Sequence, residues 1–211
     1  QGIVFSSGRI HGLLALVGTH PRYEQRIAEA ERDMLDIIDD YVKEDGGTLE
    51  GPGYWHYTFM NAVATVYALA RHRGKTLDEY AGGSLKKTGA FEPGMLSTVG
   101  GGCYLLPIND CHRNLVHPDL AASYAAMTSD EVWRRIHSVA AKHDTSKPSY
   151  FTFIIAPDEA EDYDTAVTPH FLSYPYVGHV DWVAVDDELE HVHFHFVAGP
   201  AFGGHYNCDK G

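Results

Sequence analysis

The densest group of residues able to do chemistry is the segment 45–57, which reads DGGTLEGPGYWHY. Its glycines and Pro52 fix an irregular backbone, and Tyr54, Trp55 and Tyr57 follow at once. Aromatic rings are good platforms for sugar faces, and phenol hydroxyls can donate or accept protons. The same rings could instead pack the start of a helix into the core, since Tyr and Trp bury well when their polar ends are satisfied. The residue types alone leave both interpretations open.

A second candidate segment is 202–211, which reads FGGHYNCDKG. Here glycines expose His205 between polar neighbours. An imidazole titrates near neutrality, so His205 could act as a general base or pair with a carboxylate. A single histidine in a turn is more often inert, and that alternative stands beside the functional one.

A third segment, 190–196, alternates histidine with apolar residues. In a strand, this alternation puts the apolar residues on one face and His191, His193 and His195 on the other. Two histidines spaced in this way could share a metal ion in a metal-dependent hydrolase. No third ligand is identifiable, so the favoured interpretation is a strand with an apolar inner face and a hydrated outer face. We therefore predict no cofactor; the pattern leaves a structural metal open but does not support one.

Helices are predicted in the part of the chain that must position segment 45–57. Apolar residues recur at three- and four-residue steps over 24–43 and again over 57–73, which predicts two amphipathic helices. Shorter helices are predicted at 9–19, 117–126 and 129–142.

The pattern changes near 144–148. Beyond it, aromatic and β-branched runs predict strands at 150–155, 179–185 and 190–198. Helices followed by strands predict an α+β fold. The expected domains are a helical one at 1–146 and a sheet domain at 147–211.

Composition excludes some classes of function. The chain of 211 residues has a formal net charge of −13, which argues against a nucleic-acid partner because such binding needs clustered Lys and Arg. No run of about 18 apolar residues is present, so no membrane span is predicted. The cysteines form no C-x-x-C motif, and Cys103 and Cys111 could pair if the protein is exported.

Three segments together resemble the heparinase II/III-like polysaccharide lyase family. Segment 45–57 is similar to the family's DGG-x-x-EGPGYW-x-Y stretch, and 6–14 is similar to the segment that precedes it. Residues 197–200 and 204–211 resemble the strand and the GGH-x-H/N-x-D-x-G turn that begin the family's second domain. The three matches occur in the family's order.

The resemblance implies part of an α/α toroid followed by part of an antiparallel β-sandwich. It implies cleavage of a uronic-acid polysaccharide by β-elimination, in which the C5 proton is removed and the oxygen at C4 leaves. By position, Tyr54 matches the family tyrosine and His205 the family histidine that act in proton transfer. The resemblance also implies a periplasmic or secreted location, and it leaves the oligomeric state open.

The remaining site residues follow from the same resemblance. Ser7, Trp55, Tyr57 and Asn207 are predicted to contact the acidic polysaccharide, and Tyr57 is the reserve candidate for the role of Tyr54. Ser7 stands where relatives commonly have Asn or His, so the amide that neutralises the uronate must be missing or supplied elsewhere. Asn207 stands where some relatives have a metal-binding histidine, so zinc is not carried over. A glycan-binding module without catalysis is the alternative function.

Overall fold

The computed structural model describes residues 1–97, 101–144, 149–155, 163, 169–184 and 192–198. It has the mixed helix-and-sheet class that the sequence predicts. The helices are α1 (Gly2–Leu16), α2 (Arg22–Tyr41), α3 (Gly51–His72), α4 (Leu77–Tyr80), α5 (Gly83–Lys87), α6 (Pro118–Thr128), α7 (Glu131–His143) and α8 (Tyr150–Ile155). The strands are β1 (Leu96–Ser97), β2 (Tyr104–Leu105), β3 (His170–Tyr174), β4 (His179–Ala184) and β5 (Val192–Val197).

The core lies where α3 meets α6 and α7. Four aromatic side chains meet there, and all are fully buried: Trp55, Phe59, Tyr124 and Trp133. The rings of Trp55 and Trp133 stack with their centroids 6.2 Å apart, and those of Tyr124 and Trp133 with theirs 4.8 Å apart. Each large ring removes much apolar surface from water, so this cluster is a main source of stability for the helical part.

The five predicted helices are confirmed, with shifted boundaries. Two starting boundaries move most: α1 begins at Gly2 and not at 9, and α3 begins at Gly51 and not at 57. Pro52 sits in its first turn, where the missing N–H of proline costs no helical hydrogen bond. The glycine-rich segment is therefore partly a helix start and not wholly a loop.

The strand predicted at 150–155 is wrong, because these residues form helix α8. The hydroxyl of Ser149 accepts a hydrogen bond from the Phe151 backbone N–H, at 3.1 Å, and so helps to begin the helix. The Phe151 ring packs edge-on against Tyr67 of α3, at 5.5 Å between centroids. Contacts with the helical core thus override the strand preference of an aromatic and β-branched run.

The strands at 179–185 and 190–198 are confirmed as β4 and β5, which form an antiparallel sheet in the order β3-β4-β5. The predicted orientation of β5 is wrong. Phe194 and Phe196 are 51% and 47% exposed, whereas His193 and His195 turn toward Asp181 of β4. The apolar face of this strand is therefore the outer one.

The DGG residues of segment 45–57 join the helical part to the sheet. Asp45 accepts a hydrogen bond from the Tyr176 backbone N–H at 2.8 Å, in the turn between β3 and β4. A Cβ on Gly47 would lie only 2.5 Å from Val177 of that turn, so only glycine allows this approach. On the neighbouring strand, the Tyr174 hydroxyl donates to the Ala90 carbonyl. Within the described residues, no helix has both the length and the apolar character needed to cross a membrane.

Candidate functional site

The first turn of α3 is shaped by close approach of a second loop. Gly51 has a φ of +79°, and a Cβ there would lie 2.8 Å from the Asn109 side chain. A Cβ on Gly53 would lie 2.9 Å from both Cβ and Sγ of Cys111. The glycines of the EGPG motif therefore let the loop around 109–114 lie directly on the helix, beside Tyr54.

A cavity of about 440 Å³ lies between this turn and this loop. Its volume falls in the range of sites that take small ligands. Its polar lining comes from both elements and includes Glu50, Tyr54, Tyr57, Asp110, His112 and Asn114. Phenols, carboxylates, an imidazole and an amide therefore share one cavity, which is a candidate site.

Tyr54 is held in its protonated form. Desolvation raises the pKa of its phenol, and the nearby carboxylates Asp110 and Glu50 raise it further, as does Tyr57. A negative phenolate beside two carboxylates is unfavourable. The phenol therefore carries its proton at neutral pH. The Tyr57 ring meets it edge-on, with centroids 6.5 Å apart.

Next to this site, on the core side of α3, lies a buried acid–imidazole pair. Nδ1 of His56 is 3.3 Å from Oε1 of Glu92, whose side chain is completely buried. Burial raises the pKa of Glu92 well above its usual value and lowers that of His56 to about 4. Both groups are therefore neutral at pH 7, and their contact is not an ion pair. Oε2 of Glu92 has no hydrogen-bond partner in the described part of the chain.

The thiols of Cys103 and Cys111 are close enough to Glu92 to be influenced by it. Both are buried and free, so the disulfide that the sequence allows is not formed in this structure. Burial, reinforced by Glu92, raises the pKa of Cys111 to about 12 and that of Cys103 further. Neither thiol is a nucleophile at neutral pH, since the thiolate is the reactive form.

A second buried cluster lies on the inner face of the three-stranded sheet, around Asp181. Its carboxylate accepts hydrogen bonds from His170 Nε2 at 2.5 Å, His193 Nε2 at 2.7 Å and His195 Nδ1 at 2.9 Å. A carboxylate only accepts, so each facing nitrogen carries the proton. On its other side, Nε2 of His195 lies within hydrogen-bonding distance of His179 Nδ1, at 3.2 Å.

Asp181 remains charged although its side chain is completely buried. Burial acts to raise its pKa, but the hydrogen bonds from His170, His193 and His195 outweigh burial and hold the pKa well below its usual value. Within the described residues, no group of three or more His, Cys, Asp or Glu side chains is arranged so that it could hold a metal ion. In this structure the imidazoles bind the carboxylate itself.

Comparisons with known proteins found no match. No protein family model matches the chain, and neither the curated proteins nor the solved structures contain a significant match.

The predicted site residues fall into three groups. Tyr54 and Tyr57 line the cavity together. Trp55 does not line the cavity, because its ring is fully buried and its Nε1 donates to the Thr88 hydroxyl at 2.6 Å. Trp55 is therefore a core-packing residue, which was the alternative interpretation of this ring. Ser7 is also buried away from the cavity lining, with its hydroxyl donating to the Asn61 carbonyl at 3.0 Å between α1 and α3. The third group, His205 and Asn207, lies outside the described residues.

Sequence reasoning missed the loop side of the cavity. Asp110, His112 and Asn114 follow Tyr54 by more than fifty residues and belong to no periodic pattern. One signal was available: two glycines flanking Pro52 indicate that another part of the backbone comes close. The identity of that partner could not be read from the spacing.

Proposed function

We propose that the chain is part of a polysaccharide lyase that cleaves a uronic-acid glycan by β-elimination. The helices would then belong to an α/α toroid and the three-stranded sheet to a β-sandwich. Periplasmic or secreted location follows from the same proposal. Its chemical support comes from the cavity beside α3 and its lining.

The observation that carries the proposal is the placement of Tyr54. Its phenol borders a cavity of about 440 Å³, and burial together with Asp110 and Glu50 raises its pKa. β-Elimination needs an acid that protonates the glycosidic oxygen as the C4–O bond breaks. Tyr54 is proposed as that acid. His205 is proposed to act on the same sugar, either as a base or as a partner of the uronate carboxylate.

The test is the appearance of the unsaturated product, whose C4=C5 double bond conjugated with the carboxylate absorbs in the ultraviolet. The protein is incubated with heparan sulfate, hyaluronan, chondroitin and alginate. Tyr54→Phe removes only the hydroxyl, so kcat should fall by about 10²–10⁴-fold, the usual contribution of a general acid. The melting temperature is measured alongside, so that a loss of catalysis is separated from a loss of folding.

Tyr23→Phe is the matched control, because Tyr23 lies on α2 and pairs with the neighbouring Arg22. It should retain full activity. A fully active Tyr54→Phe variant would move the acid role to Tyr57. No product from any of the four polymers would refute the lyase proposal.

A glycan-binding module without catalysis is the second candidate. The observation that favours it is the burial of Ser7, whose hydroxyl donates to the Asn61 carbonyl at 3.0 Å and so cannot neutralise a uronate in the cavity during elimination. Calorimetric titration with the same polymers separates the two functions, since this candidate requires binding without product.

A further inference from the structure

The loop that faces Tyr54 is held in place by its backbone. Leu105 N–H donates to the Asn114 carbonyl at 2.8 Å, and Asn114 N–H donates to the His112 carbonyl at 2.7 Å. The Cys111 thiol donates to the same His112 carbonyl at 3.2 Å. The Arg113 guanidinium lies over the Tyr104 ring, 3.9 Å from its centroid. These contacts fix the loop so that the side chains of His112 and Asn114 line the cavity, whereas the Arg113 side chain does not.

The side chains of His112 and Asn114, unlike their backbones, are not used to hold this loop. Both residues are exposed and line the cavity. Neither side chain makes a hydrogen bond or an ion pair with any residue in the parts of the chain that the structure describes. An imidazole and an amide thus stand available to a ligand, at fixed positions.

The chemistry of β-elimination asks for these two groups. Tyr54 supplies an acid, so a separate base must reach C5. As a side-chain type, an imidazole is a stronger base than a carboxylate. It is also uncharged when it acts, so it does not repel the uronate. An amide N–H can hydrogen-bond the uronate carboxylate, on which negative charge develops when the C5 proton leaves.

Resting on the lyase function proposed above, we infer that His112 is the base for the C5 proton and that the Asn114 amide binds the uronate carboxylate. The C5–H electron pair forms the C4=C5 double bond, and the C4–O bond breaks with its electrons going to the glycosidic oxygen. Tyr54 gives that oxygen its proton. The imidazolium of His112 then returns a proton to the solvent or to the phenolate, so no oxidant or cofactor enters the balance.

The experiment uses the full chain and whichever of the four polymers it cleaves. His112→Gln keeps a polar side chain of similar length but removes the base, and kcat should fall by about 10²–10⁴-fold. Imidazole added to the buffer should restore part of the activity of His112→Ala and none of that of Tyr54→Phe. A merely structural role for His112 would not produce this rescue. Asn114→Asp, which keeps the shape but adds a negative charge, should raise KM.

The control is His143→Gln, an exposed histidine at the end of α7, which should leave activity unchanged. His112→Gln with activity within a few-fold of the parent protein overturns the inference and leaves the lyase function standing. If His205→Gln is then the inactive variant, the base is His205. A parent protein that forms no product overturns both the lyase function and this inference.

Discussion

Two buried carboxyl groups in this protein differ in charge: one is neutral and the other is negative. Glu92 and Asp181 are both completely buried, and each touches imidazole. Burial raises the pKa of Glu92 well above its usual value, whereas the pKa of Asp181 is held well below it. Burial alone therefore does not determine whether a carboxyl group in this fold carries charge.

The number of hydrogen-bond donors accounts for the difference. Glu92 has one weak contact, His56 Nδ1 at 3.3 Å, and one oxygen without a partner among the described residues. Asp181 receives three imidazole N–H groups, and both of its oxygens are used. A buried negative charge is stable only when enough donors replace its lost water. The sheet supplies them around Asp181, and the helical core does not around Glu92.

The largest effect is expected from Asp181→Asn. The amide has the same shape but no charge, and its NH2 group faces imidazole N–H donors. Removing one partner of a buried charged cluster usually costs about 3–5 kcal/mol. We expect the free energy of unfolding, measured by urea titration, to fall by an amount in that range.

The control for this variant is Asp36→Asn, an exposed position on α2, which should change stability by less than about 0.5 kcal/mol. The titration is repeated with a chelator present. A parent protein whose stability depends on the chelator would show that the cluster holds a cation in solution, and the comparison with Glu92 would then be between unlike sites.

Periodicity predicted the helices well and the inner face of the sheet badly. A period near 3.6 identifies α2 and also its apolar side, as buried Ile27, Met34 and Ile38 show. A period of two divides β5 into two sets without saying which set is inside. Hydrophobicity predicts that Phe194 and its apolar neighbours face inward. The histidines face inward instead, because Asp181 on the adjacent strand requires their N–H donors. That requirement is a long-range contact that a single strand does not contain.

The candidate site was predictable to the extent that it is local. Tyr54 and Tyr57 lie in one motif, next to a helix start, and both line the cavity. His112 and Asn114 come to them through the packing of Cys111 on Gly53, which joins segments far apart in sequence. Glu92 lies in a short 3-10 turn with Pro and Gly, where no periodic pattern marks it as buried.

Glu92→Gln is expected to have the opposite effect to Asp181→Asn, because it should stabilise the protein. A neutral acid whose folded pKa is raised contributes stability that is lost as pH rises above 4.5, its ordinary pKa. Glutamine does not titrate, so the variant does not lose stability in this way as pH rises. The stability of the variant relative to the parent should therefore grow with pH above 4.5, by up to about 1.4 kcal/mol per pH unit.

The measurement is urea unfolding at several pH values, with Glu29→Gln on α2 as the control. His56 does not change the difference in stability between the variant and the parent protein. Its pKa is lowered to about 4 in both proteins, so both lose stability in the same way as pH falls below 6.5. If Glu92 and His56 instead formed an ion pair, Glu92→Gln would lose about 3–5 kcal/mol at pH 7, and the contrast with Asp181 would fail.

The smallest effect is expected from Phe194→Thr, which tests the orientation of β5 on which the Asp181 cluster depends. Phe194 is 51% exposed, and threonine keeps the strand preference, so the change should cost less than about 1 kcal/mol. His195→Thr on the inner face should cost more, because it removes one of the three donors to the carboxylate. The opposite order in urea unfolding, with Phe194→Thr costing the 3–5 kcal/mol typical of a deleted core aromatic ring, would mean that β5 turns its phenylalanines inward. Asp181 would then lose two donors and, like Glu92, could no longer keep its charge.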